Sequence, residues 1–149
     1  MNIEINKSEL NNNNIETVIK LSQEWENESL TYGYCANDKN DLIGIDLFLA
    51  YSDNEVIGYL FGKCSVLEEA ITPLEEGAKC FEIDEIYVKE QYRSQGIGQA
   101  LFEYVENYYK QDIDYITLST ATKNYKSILH FYIEKMDMTF WSAKLFKKI

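Results

Sequence analysis

A glycine-bearing turn that opens directly into a helix is the segment of this sequence best suited to chemistry. It runs from Gln91 to Gly98, as QYRSQGIG, after an apolar strand-like stretch. The unpaired N–H groups of such a turn and of the first helical residues bind anions, and the helix dipole adds about half a positive charge. Gly96 and Gly98 let a phosphate approach the backbone, and Arg93, the only arginine among 14 basic residues, suits a two-pronged phosphate contact. The spacing matches neither the dinucleotide fingerprint nor the Walker loop, and a bare pair of glycines is a weak signal by itself.

Three carboxylates lie on the predicted strand that leads into this turn: Glu82, Asp84 and Glu85. A carboxylate at such a place is suited to take a proton from an amine or to hold a cation. Strand alternation predicts that Glu82 and Asp84 share one face of the sheet and that Glu85 lies on the other. A solvated strand face is the alternative, but we expect the sheet to be covered on both sides, which favours function for at least one carboxylate. Which of the three acts as a base, or whether water replaces it, stays open.

A tyrosine near the end of the chain is the candidate proton donor. Tyr132 is that residue, although packing is a strong alternative in a chain with 12 tyrosines. His130, the only histidine, lies two residues away in the same predicted helix. Consecutive helical side chains are about 100° apart, so the two do not share a face, and we interpret His130 as a bystander.

The periodicity of apolar residues predicts the elements that position these groups. The predicted strands lie near residues 2–5, 45–51, 56–64, 80–88, 115–120 and 139–146, and the predicted helices near residues 15–25, 97–108 and 124–135. The order β, α, three strands, α, β, α, β indicates a mixed α/β domain that covers residues 1–149.

Composition and charge exclude several classes of function. The 149 residues, 46% of them hydrophobic, are typical of one globular domain. A net charge of −11 repels phosphate backbones, so we expect no nucleic-acid partner, and it favours cationic partners. Three widely spaced cysteines and one histidine predict neither a disulfide framework nor a metal site. Because no apolar run approaches the ~18 residues of a membrane span and the first residues do not resemble a signal peptide, we expect a cytoplasmic protein without membrane partners.

The motifs taken together resemble those of a known family. The RxxGxG pattern at residues 93–98, which follows the strand end Ile86–Val88, looks like the acetyl-CoA signature of the GNAT superfamily of N-acetyltransferases. The helix that opens at Asn124 and carries the Phe131-Tyr132 pair is similar to that family's asparagine and Phe-Tyr block. The motifs match over residues 80–138, whereas residues 1–79 match in element order only. The family's segment normally ends in Gly-Phe, where this chain has Asp137-Met138.

The resemblance implies a GNAT-like fold, with a central, mostly antiparallel sheet flanked by helices, and a site for acetyl-CoA. Pyrophosphate would lie on the N–H groups of residues 94–99. The pantetheine arm would lie along the end of the strand predicted near residues 80–88. Family enzymes with a carboxylate base tend to carry it at the position of Glu82, with Asp84 two residues on, and Tyr132 would give its proton to the coenzyme thiolate. The expected cofactor-binding residues are Ile86, Tyr87, Val88, Arg93, Ser94, Gln95, Gly96, Ile97, Gly98, Gln99, Asn124 and Ser127.

The leading hypothesis is transfer of an acetyl group from acetyl-CoA to a small cationic primary amine, such as a polyamine or an aminoglycoside, by direct attack in a ternary complex. Trp25, Tyr32 and Tyr34 are candidates to line the acceptor pocket, since aromatic faces attract ammonium groups. Packing of the core or the loop explains them equally well. The alternatives are an enzyme acting on protein N-termini or lysines, a non-catalytic acyl-CoA sensor, and an acidic interaction protein without a cofactor. Dimers are common in the family, and the apolar residues of 140–146 would supply either a homodimer interface or core.

Overall fold

Five β-strands form one sheet, and helices cover both of its faces. The computed structural model describes residues 1–149. In chain order the elements are β1 (Ile3–Ser8), α1 (Asn12–Glu28), β2 (Asp46–Ser52), β3 (Glu55–Val66), β4 (Lys79–Val88), α2 (Ile97–Tyr109), β5 (Tyr115–Leu118) and α3 (Tyr125–Leu129), followed by a π-helical segment, His130–Lys135. None of the helices is both long enough and apolar enough to span a membrane.

The sheet is mixed, and its strand order follows the chain, β1-β2-β3-β4-β5. The first four strands pair antiparallel, whereas β4 and β5 pair parallel, from Cys80 opposite Tyr115 to Ile83 opposite Leu118. A parallel pair needs a crossover connection, and α2 supplies it. The prediction of a mixed α/β fold with a mostly antiparallel sheet is therefore confirmed.

Local signals explain where these elements begin and turn. The side chain of Asn11 caps α1 by accepting a 2.8 Å hydrogen bond from the Asn14 N–H. Between β2 and β3, Asp53 and Asn54 have φ angles of 47° and 72°, which are the left-handed conformations of a two-residue hairpin loop. Asparagine and aspartate tolerate this conformation better than most residues, so the predicted hairpin is formed.

Two buried apolar clusters hold the helices on the sheet. The α1 face consists of Val18, Leu21, Leu42, Ile45, Leu47, Leu49, Tyr59, Phe61 and Tyr87. The α2 face consists of Phe48, Ala50, Ile57, Leu60, Phe81, Ile83, Ile97, Leu101, Phe102, Val105, Tyr109, Tyr132 and Met136. Neighbouring residues of β2 belong to opposite faces because successive side chains of a strand alternate.

The end of the chain differs from the sequence-based prediction. Residues 139–149 have no regular secondary structure, so the closing strand predicted at 139–146 is wrong. Their large apolar residues come as adjacent pairs, which a strand would divide between its two faces, and no residue after Met138 makes a backbone hydrogen bond. These residues are also exposed rather than core, with Phe146 83% exposed. The helix predicted at 124–135 is α-helical only to Leu129 and continues with π-helical geometry.

Candidate active site

The turn before α2 presents a row of free backbone donors. None of the N–H groups of residues 94–99 donates to an acceptor in the protein, and the first bond at this helix end runs from the Ala100 N–H to the Gly96 carbonyl at 2.9 Å. Ser94 and Gly96 have φ angles of 61° and 81°, and such alternation turns successive N–H groups toward one concave side. A Cβ at Gly98 would meet nothing closer than the Phe131 ring, at 3.8 Å. The turn therefore fits a group with several negatively charged oxygens.

Beyond Ile83, the edge of β4 that faces β5 is open. The parallel pairing stops at Ile83 and Leu118. The chain after β5 then turns to the loop that follows α1, where the Tyr32 N–H donates to the Ala121 carbonyl at 3.0 Å. The strand end Ile86–Val88 consequently has a partner strand only on the β3 side. An extended ligand can add to such an edge as a further strand.

A β-bulge at Asp84 sets the direction of the carboxylates. On β3, Gly62 pairs with Ile83 and Phe61 pairs with Glu85, so Asp84 has no partner in the ladder. Ile83 lies on the α2 face, which directs Asp84 to the α1 face, and the bulge turns Glu85 to the α1 face as well. The prediction that Glu85 lies opposite Asp84 is therefore wrong, because simple alternation does not hold across a bulge.

The carboxylates differ in their environments. Glu82 and Asp84 are exposed, contrary to the expectation of burial, because the α1-face cluster contains no β4 residue before Tyr87. Although Asp84 is exposed, nearby protein atoms remove part of its hydration, and this desolvation, together with the negative charge of Glu82, raises the pKa of Asp84 above its usual value. Glu85 is more deeply placed, and burial raises its pKa although three side chains donate hydrogen bonds to it.

Arg93 contacts protein groups on both sides of the glycine turn. Its Nε donates to the Val88 carbonyl at 2.8 Å, and its Nη2 donates to both carboxylate oxygens of Glu28 at 2.8 Å. The guanidinium also lies 5.3 Å from the centre of the Tyr87 ring. The arginine thus joins the end of α1 and the end of β4 to the turn through Nε and Nη2, while Nη1 makes no hydrogen bond within the protein.

The segment from Asn124 to Lys135 brings the Phe-Tyr pair beside the turn and into the core. Tyr132 is buried, with its ring 6.4 Å from that of Phe102, and Phe131 packs beside the glycine turn. Burial raises the pKa of Tyr132 to about 12, and no protein group makes a hydrogen bond with its hydroxyl. At the start of α3, Asn124 and Ser127 are exposed and their side chains make no hydrogen bonds.

Trp25, Tyr32 and Tyr34 meet in one cavity of about 330 Å³, between the end of α1 and the chain after β5. The Trp25 ring stacks on Tyr34 with ring centres 4.1 Å apart and on Tyr87 at 5.6 Å. The Lys123 ammonium lies 5.3 Å from the centre of the Tyr32 ring. The Tyr32 face thus already contacts a cation, which is the contact that an aromatic ring offers to an ammonium group.

A second cavity, of about 540 Å³, shares Leu30 with the first and has an acidic lining. Glu24, Glu28 and Glu90 line it, and no lysine or arginine does. Glu28 is paired with Arg93, so Glu24 and Glu90 give this side of the protein its negative potential beside the arginine-supported turn.

Comparison with known proteins decides the family. The sequence matches the model described as the Acetyltransferase (GNAT) family over residues 9–138. The chain belongs to the GNAT acetyltransferase family. The match spans the glycine turn, the β4 carboxylates and the helix with the Phe-Tyr pair, so the resemblance noted from the motifs is confirmed. No curated protein matches the sequence.

Solved structures of similar fold are also acetyltransferases. An aminoglycoside acetyltransferase from an uncultured soil metagenomic sample, in complex with sisomicin, has a TM-score of 0.70 at 17% identity, over 99% of this chain and 96% of that chain. A ribosomal-protein-alanine N-acetyltransferase from Brucella melitensis biovar Abortus 2308 has a TM-score of 0.68 at 18% identity, over 98% and 99%. A putative acetyl transferase from Pyrococcus furiosus has a TM-score of 0.69 at 16% identity, over 99% and 100%. At these identities the likeness shows a shared GNAT fold.

In this GNAT chain an aspartate, Asp137, forms the turn that follows the helix with the Phe-Tyr pair. Asp137 adopts a φ of 57°, and the Met138 N–H donates to the Tyr132 carbonyl at 3.0 Å across the helix end. A left-handed residue with such a bond is the usual way for a helix to end, and glycine fits it without strain. Asp137 therefore takes the position at which the family normally has glycine.

Sequence reasoning missed two GNAT-site features that depend on tertiary contacts. The sequence places Glu28 only at a helix end and loop, but it is the partner of Arg93. The bulge had one local signal, Gly62 within a strand, because an isolated glycine in a strand marks a bulge or a close backbone approach. A Cβ at Gly62 would collide with the Glu82 carbonyl.

Proposed function

We propose that this GNAT protein transfers an acetyl group from acetyl-CoA to a small cationic primary amine, by direct attack of the amine in a ternary complex. The single observation that supports the cofactor most strongly is the row of free N–H groups at residues 94–99, at the start of α2. A pyrophosphate group satisfies such donors, and the helix dipole adds to the attraction. Bound acetyl-CoA would supply the acetyl group as an activated thioester.

The proposed cofactor contacts extend from the turn to both neighbouring elements. The N–H groups of residues 94–99 would hold the pyrophosphate, and the open β4 edge at Ile86–Val88 would pair with the pantetheine amides. Asn124 and Ser127 would contact the pantetheine arm through side chains that make no hydrogen bonds in this structure. Arg93 would support the turn through Nε and Nη2, which the Val88 carbonyl and Glu28 hold, and its unbonded Nη1 and positive charge would face the phosphates.

Proton transfer in this proposal involves Asp84, Glu82 and Tyr132. Asp84 lies at the bulge, next to the open edge, and its raised pKa makes it a better proton acceptor than an ordinary aspartate. Glu82 lies on the same face and contributes the negative charge that helps to raise this pKa. Tyr132 keeps its phenolic proton at neutral pH, because its pKa is about 12, and would deliver it to the leaving sulfur.

Charge and aromatic lining support a cationic acceptor. The chain has a net charge of −11, and the two adjoining cavities are lined by aromatic rings and by four glutamates, with Lys123 as their one cationic side chain. An aminoglycoside acetyltransferase of the same fold binds sisomicin, which is a polycationic amine. We therefore place the acceptor at the cavity lined by Trp25, Tyr32 and Tyr34, with the acidic cavity beside it for further ammonium groups.

The decisive experiment is calorimetric titration of acetyl-CoA into the wild type and into Gly98→Glu. A Cβ at Gly98 has room, and glutamate is favourable in the first turn of a helix, so the variant should fold while repelling phosphate. The matched control is Asn107→Glu, which makes the same charge change at an exposed position of α2. We expect binding by the wild type and the control and loss of binding by Gly98→Glu.

Turnover of amines by the protein with bound acetyl-CoA then separates the candidate functions. Acetylation of spermidine or sisomicin would support the small-amine acceptor, and acetylation of peptides alone would favour a protein acetyltransferase. Binding without turnover of either class would favour an acyl-CoA sensor. No binding by the wild type would contradict the proposal.

A further inference from the structure

A carboxylate outside the proposed proton-transfer groups lies at the junction of β4 and the loop after α1. Glu85 Oε1 accepts hydrogen bonds from the hydroxyls of Tyr34 and Tyr59, each at 2.8 Å. The Asn37 side-chain amide donates to Oε1 at 3.0 Å and to Oε2 at 2.9 Å. No lysine or arginine pairs with Glu85, so neutral donors alone stabilise its charge.

These donors come from two parts of the chain. Tyr59 lies on β3, beside β4, whereas Tyr34 and Asn37 lie in the loop after α1, about fifty residues before Glu85. The backbone N–H of Asn37 is fixed separately, by a 2.9 Å bond to the hydroxyl of the fully buried Ser22. The carboxylate is therefore the point at which this loop is tied to β4, one residue after the bulge.

The loop that Glu85 ties down forms a wall of the aromatic cavity. Tyr34 lines the cavity and stacks on Trp25, whose other neighbour is Tyr87 on β4. A hydrogen bond to a carboxylate increases the electron density of the phenol ring, which strengthens its attraction for a cation. Glu85 thus affects both the position and the electrostatics of the wall without lining the cavity itself.

We propose that Glu85 is a positioning residue for the acceptor amine, which it serves by holding Tyr34 and Asn37 against β4. This inference rests on the proposed acetyl transfer to a cationic amine. It assigns a role to the one β4 carboxylate that is neither exposed nor part of the proposed proton transfer. The role predicts a defect in amine binding and none in coenzyme binding.

The chain offers a paired substitution that separates positioning from folding. In Glu85→Gln the new amide nitrogen takes the place of Oε2 and faces the Asn37 amide, donor against donor, so the 2.9 Å bond to Oε2 is lost while the carbonyl oxygen stays with the tyrosines. Adding Asn37→Asp restores it with the donor and acceptor exchanged, while the carbonyl oxygen of the introduced glutamine still accepts from both tyrosines. The matched control is Glu106→Gln, the same change at an exposed position of α2.

The readout is binding of n-butylammonium, followed by Trp25 fluorescence in a Trp141→Phe background, with n-butanol as the uncharged comparison. We expect Glu85→Gln to weaken butylammonium binding by about tenfold or more, because a hydrogen bond to a charged group is lost. The double variant, Glu85→Gln with Asn37→Asp, should recover most of this affinity. Thermal melts of each variant check that the comparison is made between folded proteins.

Two results would overturn the inference: unchanged butylammonium binding in Glu85→Gln, or a folded double variant that fails to recover it. Calorimetry with acetyl-CoA on the same proteins keeps this test apart from the proposed function. Absence of acetyl-CoA binding in the wild type would contradict the acetyltransferase proposal. The amine-binding defect of Glu85→Gln is measured without acetyl-CoA and without catalysis, so it tests the role of Glu85 separately.

Discussion

Arg93 and Glu28 connect the glycine turn to the end of α1 through two hydrogen bonds of 2.8 Å that share one guanidinium nitrogen. The Glu28 side chain is only 16% exposed, so solvent screens this pair less than a surface ion pair. The same arginine donates its Nε to the Val88 carbonyl. One planar side chain therefore joins three elements, and an ammonium group lacks the fixed fork that this requires.

We predict that Arg93→Lys lowers the free energy of unfolding by about 1–3 kcal/mol, because hydrogen bonds to charged groups are lost. Urea denaturation measures this change, and Glu28→Gln should cost a similar amount. The double variant should cost clearly less than the sum, since both changes remove one interaction. Normal stability together with lost acetyl-CoA binding in Arg93→Lys would instead mean that the arginine contacts phosphate directly.

The charge of Glu82 should be visible in the pH dependence of catalysis. Asp84 accepts protons only when ionised, so kcat/KM for acetyl-CoA at saturating amine should rise with pH through the raised pKa of Asp84. Glu82→Gln removes a like charge, which lowers the pKa of Asp84 and moves this rise to lower pH. Asp84→Asn should remove the rise and slow turnover about 100-fold or more. If kcat/KM still rises over the same pH range in Asp84→Asn, the base is another group. Glu68→Gln, which makes the same charge change as Glu82→Gln at an exposed position, is the control for net charge.

Tyr132→Phe tests the proposed proton donor with little risk to the fold. The hydroxyl makes no protein hydrogen bond and the ring is buried, so the phenylalanine variant should melt within a few degrees of the wild type. We predict a loss in kcat of about 100-fold with little change in acetyl-CoA affinity. Stopped assays over a range of amine concentrations separate kcat from KM. Unchanged kcat would limit Tyr132 to packing.

Asp137→Gly should stabilise the protein. Asp137 holds a φ of 57° at the end of the π-helical segment, where a side chain costs about 1 kcal/mol and glycine costs less. For a chain of this size, that corresponds to a melting temperature higher by about 2–4 °C. Differential scanning calorimetry measures the shift, and Asp137→Ala, which keeps a Cβ, should not produce it.

The parts of the fold that follow from short-range signals could be predicted from the sequence. The spacing of Gly96 and Gly98 before an amphipathic helix predicted the anion-binding turn, and alternating residues predicted β2, β3 and β4 within a few positions. These signals are local because hydrogen bonding within a turn or a hairpin depends on neighbouring residues.

The parts that the sequence could not predict depend on partners far along the chain. Glu85 reaches Tyr34 and Asn37 only because the bulge turns it to the α1 face, and the bulge in turn depends on close approach at Gly62. The C-terminal residues had the composition of a strand, but a strand also needs a partner edge, and residues 139–149 do not pair with β5.

The short parallel pairing between β4 and β5 has a consequence for how the protein assembles. Only four residue pairs join these strands, and α2 must first cross between them, so this contact closes a longer loop than the β2–β3 and β3–β4 pairings do. We expect it to form late in folding and to open first in the native state. Amide hydrogen exchange should then be faster in β5 than in β2 and β3. The β4 edge proposed for the pantetheine arm begins where this pairing ends, so a ligand bound along that edge should slow exchange in β5.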